Sequence, residues 1–328
     1  MKDILLAKYI VATALFIAIL GCSRSGDTDA LVSIVRLDKD ISRYITMSVA
    51  DRSCMVDSLQ PYLSAYMQIL GDDTISDSSL MSLSQSPAVQ MFSPAVDSVF
   101  PQLDKCSEAL ASVDARVSEN GLSIPSYRYA TIVWGKEKYI VVNDSIMFIA
   151  LNHYLGPEHE AYANWPEYQR VNKRPEMIVY DALEARLALG YPFQPAQSGA
   201  TLLSQMVYDG ALAYIKMQLI PDANEADAMG FTARQLNDIA DNERFMWERL
   251  VSGKMLFSTD IGIASHLLNP APASSLISPD APGRAVRYIG YKIVCAYMEN
   301  NPSTSLSMLL SPAFYNDKDL LRKSEYRK

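Results

Sequence analysis

Two stretches of the chain carry apolar residues around nearly the whole circumference of a helix. They are residues 175–190 and 201–222, and a helix of this kind is buried inside a fold. Carboxylates interrupt both stretches: Asp181 and Glu184 in the first, and Asp209 in the second. Because a buried carboxylate must be hydrogen-bonded, paired, metal-bound or protonated, we expect any chemistry of the protein to lie here.

Further helices are predicted on both sides of this central pair. Apolar residues recur at helical spacing in the N-terminal third and again towards the C-terminus. The predicted helices are 49–70, 87–100, 102–120, 232–251 and 284–300, followed by a short helical tail. Residues 261–279 contain several Pro and Ser, and they predict a long loop, which in a compact domain is usually functional or mobile.

The middle of the chain changes to the alternation that is typical of strands. Residues 127–134 and 139–142 flank a turn at 135–138, and residues 145–151 form a continuous apolar run. Together with a strand-like start near Ile34, they predict a small, mostly antiparallel sheet with a buried central strand. The predicted fold class is therefore α+β and predominantly helical.

The first 22 residues have the pattern of a lipoprotein signal peptide. Lys2 and Lys8 flank a short charged start, and the apolar run that follows ends at Gly21-Cys22. This run is too short to span a membrane. We predict that residues 1–21 are removed and that acyl chains on Cys22 hold the protein at a membrane. The alternative is an uncleaved anchor with an incidental cysteine.

The rest of the chain is predicted to be a tether and one domain. Residues 22–30 are short and polar and would form the tether. Residues 31–328 are long enough to bury a substantial core in a single globular domain. We divide that domain into a helical N-terminal part, 31–122, and a part that holds the sheet and the core helices, 123–328.

Charge and cysteine content narrow the possible partners. The net charge is −8, and no basic cluster longer than Lys173-Arg174 precedes the tail, so nucleic acid is not expected as a partner. An acidic chain is not attracted electrostatically to an anionic lipid surface, so the lipid anchor must supply the membrane attachment. Cys54 and Cys106 could form a disulfide in an oxidising compartment, or these two and Cys295 could all be free thiols.

Three blocks of sequence resemble a known family. They are TLLSQMVYDGALAYI in the second buried stretch, the run ending FIALNHYLG, and APGRAVRYIGYKIVCAYM near the end. These blocks are similar to the gliding-motility lipoproteins of the GldB family, and the resemblance covers residues from Ile34 to the C-terminus. It implies an outer-membrane lipoprotein that faces the periplasm near gliding or secretion machinery, with an envelope protein or peptide as its partner.

The two buried helices also have the layout of a zinc peptidase. Such enzymes place H-E-x-x-H on a buried helix, and one branch takes an acidic third ligand from a following helix. Here Y-D-x-x-E, from Tyr180 to Glu184, stands in place of that motif, and Asp209 follows. Both imidazoles are missing, and neither Tyr nor Glu supplies the nitrogen that suits zinc.

The layout therefore predicts a zincin-like core with a degenerate site and with neither metal nor cofactor. The residues of this degenerate site are Tyr180, Asp181, Glu184 and Asp209. The alternative is a purely structural network, in which the carboxylates hold backbone groups or arginines.

The histidines do not restore a metal site. His159 lacks a second ligand one turn further on, at Ala163, and His266 is isolated in the sequence. His153 follows the predicted buried strand, where polar residues often line a cleft. Four residues are predicted to bind a ligand across this cleft, the first on one wall and the others opposite: His153, Arg284, Arg287 and Tyr288.

Three functions remain open at this point. We favour a non-enzymatic envelope lipoprotein, a pseudo-peptidase whose cleft binds or supports a protein partner. The alternatives are a metal-dependent hydrolase with a carboxylate-rich site and a purely structural envelope lipoprotein. An open, apolar cleft beside His153 would favour the first, a bound metal the second, and a filled cleft the third. The chain has no G-x-S-x-G, P-loop or G-x-G-x-x-G motif, so serine hydrolysis and nucleotide chemistry are not expected.

The lipid anchor gives the first testable prediction. The variant Cys22→Ser cannot accept the diacylglycerol, so it should accumulate as unprocessed precursor or in the soluble periplasmic fraction. Cell fractionation and immunoblotting would measure this. Mature Cys22→Ser protein that still needs detergent for extraction would contradict the assignment.

Overall fold

The computed structural model describes residues 31–278 and 280–326. The predicted signal peptide, the predicted lipidation site at Cys22 and the predicted tether lie outside these described residues. From Leu31 onwards the chain clusters as one unit. No helix in the described part is both long and apolar enough to cross a membrane.

Helices make up most of the described chain. Ser48, Ser86 and Thr201 each cap one of them by accepting a hydrogen bond from a backbone N–H three residues further on, as expected for hydroxyl residues at this position. The helices are α1 (Leu37–Arg43), α2 (Val49–Leu70), α3 (Asp77–Ser84), α4 (Pro87–Val99), α5 (Asp104–Glu119), α6 (Glu167–Arg170), α7 (Met177–Gly190), α8 (Leu202–Leu219), α9 (Glu225–Met229), α10 (Ala233–Asp241), α11 (Glu243–Ser252), α12 (Ile261–Leu268), α13 (Val286–Asn300), α14 (Leu306–Leu309), α15 (Pro312–Tyr315) and α16 (Leu320–Ser324).

Two of the helix predictions need correction. The helix predicted for residues 232–251 starts at a capping box of Thr232 and Gln235 but is interrupted at Asn242, which separates α10 from α11. The segment predicted as a loop, 261–279, opens with helix α12. The side chain of Asp260 caps α12 by accepting a hydrogen bond from the N–H of Gly262, and Leu267 of α12 is fully buried.

The sheet is mixed, so the prediction of a mostly antiparallel sheet was wrong. Within the described residues it has four strands, β1 (Ile34–Val35), β2 (Arg128–Ile132), β3 (Ile140–Asn143) and β4 (Ile146–Ala150), in the spatial order β1-β2-β4-β3. The pairs β1–β2 and β2–β4 are parallel, and only the β3–β4 pair is antiparallel. Strand β4 is buried at every position, as predicted for the central strand.

The side chain of Asn152 links the ends of β2 and β4. Residues 135–138 do not join β2 and β3 into a hairpin. Instead, the amide of Asn152 accepts a hydrogen bond from the backbone N–H of Trp134 (3.2 Å) and donates one to the Trp134 carbonyl (2.9 Å). These bonds hold the end of β2 beside the end of β4, and the tight turn with Asp144 in the left-handed region (φ +52°) joins β3 to β4.

The core of the fold is the crossing of α8 and α13. Gly210 of α8 faces the backbone of Gly290 and Tyr291, and Gly290 of α13 faces the carbonyl of Met206. A Cβ atom at either glycine would overlap backbone atoms of the other helix. The two helices can therefore approach this closely only because both contact positions lack a side chain.

We expect Gly290→Ala to destabilise the protein by at least about 3 kcal/mol or to prevent folding, because the added methyl group must push two backbones apart. Urea unfolding followed by circular dichroism would measure the loss. The matched control is Gly135→Ala, whose Cβ would make an ordinary contact 3.5 Å from that of Ala88. Equal stabilities for the two variants would contradict the close crossing.

Candidate functional site

A buried ion cluster joins the three central helices. Glu184 on α7 accepts hydrogen bonds from the ammonium group of Lys216 on α8 and from Nη2 of Arg287 on α13, the latter at 2.8 Å. Lys216 and Arg287 are each only 2% exposed. Nη1 of Arg287 donates to the carbonyl of Met229 (3.2 Å). One carboxylate therefore serves two buried cations.

The cluster separates the pKa values of two neighbouring carboxyl groups. Burial alone would raise the pKa of Glu184, but the charges of Arg287 and Lys216 outweigh it and hold that pKa well below its usual range. Asp181 lies one turn earlier on α7. Burial, with the negative charge of Glu184 added, raises the pKa of Asp181 to about 7. The hydroxyl of Tyr154 donates a hydrogen bond to Asp181 (3.0 Å).

The other two residues of the predicted degenerate site are placed differently. The hydroxyl of Tyr180 accepts a hydrogen bond from the backbone N–H of Asn224 (3.2 Å), just before α9, and it has no contact with the ion cluster. Burial raises the pKa of Asp209, although the nearby charges of Arg287 and Arg284 oppose this. The structure thus brings Asp181, Glu184 and Arg287 together and turns Tyr180 towards α9.

A cavity of about 640 Å³ opens beside the ion cluster. Its volume lies within the range of small-molecule and peptide pockets. Both polar and aromatic side chains line it, so it is not conspicuously apolar. The lining includes Tyr139, His153, Tyr154, Trp165, Tyr168, Asn172, Lys173, Asp181, Glu184, Lys216, Asp227, Arg284 and Arg287.

His153 lies in the cavity wall with both ring nitrogens engaged. Nε2 is 2.9 Å from the carbonyl of Lys136, and Nδ1 is 2.8 Å from the ammonium group of Lys173. The Lys173 ammonium also lies 4.3 Å from the centre of the Trp165 ring, a cation–π contact. Burial and the charge of Lys173 lower the pKa of His153 to about 4, so the ring is neutral and donates from Nε2.

Arg284 lies two residues before the start of α13 and lines the cavity. Its backbone is in the left-handed region (φ +66°), where non-glycine residues are uncommon. Its Nε has no hydrogen-bond acceptor among the described residues, and the same holds for Nε of Arg287. Tyr288, predicted to line the cleft, is instead buried outside the cavity wall, with Lys292 5.9 Å from the centre of its ring.

Several residues that line the site are not predicted from the sequence. Lys216 is a single cation in an otherwise apolar helix, and this is the one local signal that could have revealed a partner for Glu184. Lys173, Tyr154 and Trp165 come from loops and a strand end, and nothing in their spacing indicates that they meet. Cys54, Cys106 and Cys295 are free thiols in the described chain, and of these Cys106 has a pKa raised by burial to about 12.

The donor set does not resemble a zinc site. No group of three or more His, Cys, Asp or Glu side chains among the described residues is arranged to hold a metal ion. Glu184, which stands where the peptidase motif would have a metal ligand, already binds Lys216 and Arg287. A metal ion would have to displace these two cations.

Comparison with known families agrees with the sequence blocks. The family described as Gliding motility protein GldB matches residues 24–328. The chain belongs to this GldB lipoprotein family. No curated protein and no solved structure gives a significant match. The family implies a lipoprotein associated with gliding motility. The cavity and the ion cluster form the candidate site of this chain.

The ion cluster predicts a large difference between two carboxylate variants. Glu184→Gln leaves Lys216 and Arg287 buried without an anion, and we expect a loss of about 3–5 kcal/mol in the free energy of unfolding. The control Glu248→Gln removes an exposed helical pair with Arg244 and should cost less than about 1 kcal/mol. Denaturant titrations of both variants would measure the two values. A Glu184→Gln variant as stable as the control would contradict the cluster.

Proposed function

We propose that this GldB-family chain is an outer-membrane lipoprotein, anchored through Cys22 and facing the periplasm, whose cavity binds a segment of a partner polypeptide without cleaving it. The central helices α7 and α8 would correspond to a zincin-like pair in which the metal site has been replaced. In this proposal the cavity is the retained substrate cleft of a pseudo-peptidase.

One observation carries the proposal. Glu184 is bound by Lys216 and Arg287 from two other helices, so side-chain cations take the place that a catalytic metal would need. A buried ion cluster of this kind fixes the geometry of three helices, but it supplies neither a Lewis acid nor an activated water. The cavity beside it nevertheless stays open, with about 640 Å³ available.

The lining of the cavity suits an extended polypeptide. Trp165, Tyr139 and Tyr168 offer aromatic surface against which side chains can pack. Asn172 donates its amide N–H to the carbonyl of Gly230 (2.7 Å), and its Oδ1 has no partner among the described residues. That oxygen can accept a hydrogen bond from the backbone N–H of a bound segment.

The hydrolase alternative has one specific observation in its favour. Asp181 and Glu184 are neighbouring carboxyl groups whose pKa values are moved in opposite directions, and acid–base catalysts have this property. Against it, Glu184 is held by two cations, which reduces its strength as a base or nucleophile. The observations therefore favour binding, and the experiment below includes the hydrolytic outcome.

The test is site-specific photocrosslinking in cells. A photoreactive amino acid at Gln169, exposed on α6 and part of the cavity lining, should capture a discrete polypeptide of intact mass. The same amino acid at Gln60, exposed on α2, is the matched control and should not. Adding Ala271→Trp, which fills the cavity from its loop, should abolish the Gln169 adduct in a protein with unchanged melting temperature.

Two outcomes would contradict the proposal. An adduct at Gln169 that survives Ala271→Trp would place the partner outside the cavity. The captured polypeptide could instead be cleaved at one position in the cavity, and the Asp181→Asn variant could fail to cleave it. That result would establish the hydrolase alternative.

A further inference from the structure

Three cations and three carboxyl groups meet near the cavity wall next to α13. Lys216, Arg284 and Arg287 all reach this wall, and the fully ionised carboxylate of Glu184 is shared between the first and the last of them. The other carboxyl groups near these cations are Asp181 and Asp209, and burial raises the pKa of both, to about 7 for Asp181. Burial likewise lowers the pKa of Lys216. Buried charge without a counter-ion is costly.

Among the three cations of this wall, Arg284 is the one without a hydrogen-bond partner in the described part of the chain. Its side chain makes no hydrogen bond or ion pair with any described residue, and its Nε is shielded from solvent. Burial and the charge of Arg287 lower the pKa of Arg284, and the negative charges of Glu184 and Asp209 oppose this only in part. Nε of the neighbouring Arg287, itself 2% exposed, is also without an acceptor in the described chain.

Local structure holds Arg284 in this position at a cost in backbone energy. The left-handed φ of +66° is unfavourable for an arginine. The preceding Gly283 lies against the backbone of Ala271, where a Cβ would not fit. Ser274 is fully buried, and its hydroxyl stabilises the same loop by donating a hydrogen bond to the carbonyl of Pro282 (2.9 Å). Strain that a loop maintains in this way is typical of residues that bind a ligand.

We propose that Arg284 and Arg287 form a carboxylate-binding subsite, and that the segment bound in the cavity presents a carboxylate to it. This inference rests on the proposed polypeptide-binding function and adds the chemistry by which the segment is recognised. A guanidinium group matches a carboxylate with paired N–H donors.

Either the C-terminus of the polypeptide or an acidic side chain can supply the carboxylate. Three libraries of short N-acetylated peptides distinguish these sources. The first has uncharged residues and a free C-terminal carboxylate, the second has the same residues and a C-terminal amide, and the third is amidated with one central Glu. Each would be passed over the detergent-solubilised full-length lipoprotein, and retained peptides would be identified by mass spectrometry.

We expect wild-type protein to retain the first or the third library and to release the second. Arg284→Gln should weaken the binding of the enriched peptides by about ten- to hundredfold, as for other hydrogen bonds to charged groups. Arg284→Lys should bind with intermediate affinity, because an ammonium group lacks the paired donors. Arg234→Gln, which removes the same charge from a side chain that is 92% exposed on α10, should bind like wild type.

Thermal stability provides an independent readout. Arg284→Gln removes an unpaired cation beside Arg287, so its melting temperature without peptide should be higher than that of wild type. A residue that merely held the fold together would give a lower one. Loss of peptide binding together with a higher melting temperature is therefore the result expected from a binding residue.

Failure of this inference can be told apart from failure of the proposed function. Equal retention of all three libraries by wild type and Arg284→Gln would overturn the carboxylate subsite and leave polypeptide binding intact. No retention of any library, together with no cavity-dependent photocrosslink, would overturn both.

Discussion

The close crossing of α8 and α13 is the constraint on which the rest of the structure depends. Gly210 and Gly290 let the two helix backbones touch, and this distance determines where the longer side chains of both helices end. Lys216 lies on α8 beyond the crossing, and Arg287 lies on α13 one turn before it. Both reach Glu184 on α7. Packing at two glycines thus places two cations on one carboxylate.

The ion cluster in turn determines the electrostatics of the cavity. Glu184 stays ionised because Arg287 and Lys216 lie beside it, and its charge contributes to the raised pKa of Asp181. Replacing such a cluster with apolar residues is often neutral or stabilising in other proteins, so its presence is weak evidence for stability alone. Its value here lies in a fixed arrangement of charge on the cavity wall, which apolar packing could not provide.

Local sequence signals predicted the helices well and the sheet order poorly. Helix α2 spans the residues 49–70 that its apolar spacing predicts, and the buried run at β4 is central as expected. The strand order depends on the parallel pairing of β2 with β4, and the amide of Asn152 extends this pairing to the backbone of Trp134. An alternating pattern around a turn predicts a hairpin, and no local feature reveals that another strand will be inserted between the two.

The candidate site was predictable to a similar extent. A carboxylate in an apolar helix needs a partner, and Glu184 on α7 has two, from α8 and α13. The sequence could not show which partners, because Lys216, Arg287 and Lys173 reach the cavity from three separate segments. Helical spacing placed Tyr180 and Glu184 on one face, but Tyr180 turns to Asn224 because the chain before α9 offers its hydroxyl a backbone donor.

Membership of the GldB family and the geometry of the site address different levels of function. The family connects the chain with gliding motility and with lipoproteins, whereas the charges of the cavity concern what a single molecule can bind. Arg284 connects the two levels in our proposal. A strained, partly buried cation that makes no hydrogen bond with the described residues lowers the stability of the free protein. Such a residue at the edge of an open cavity does not stabilise the fold through packing. A carboxylate that accepts hydrogen bonds from Arg284 removes this cost when it binds, so the same feature that weakens the free lipoprotein favours its complex.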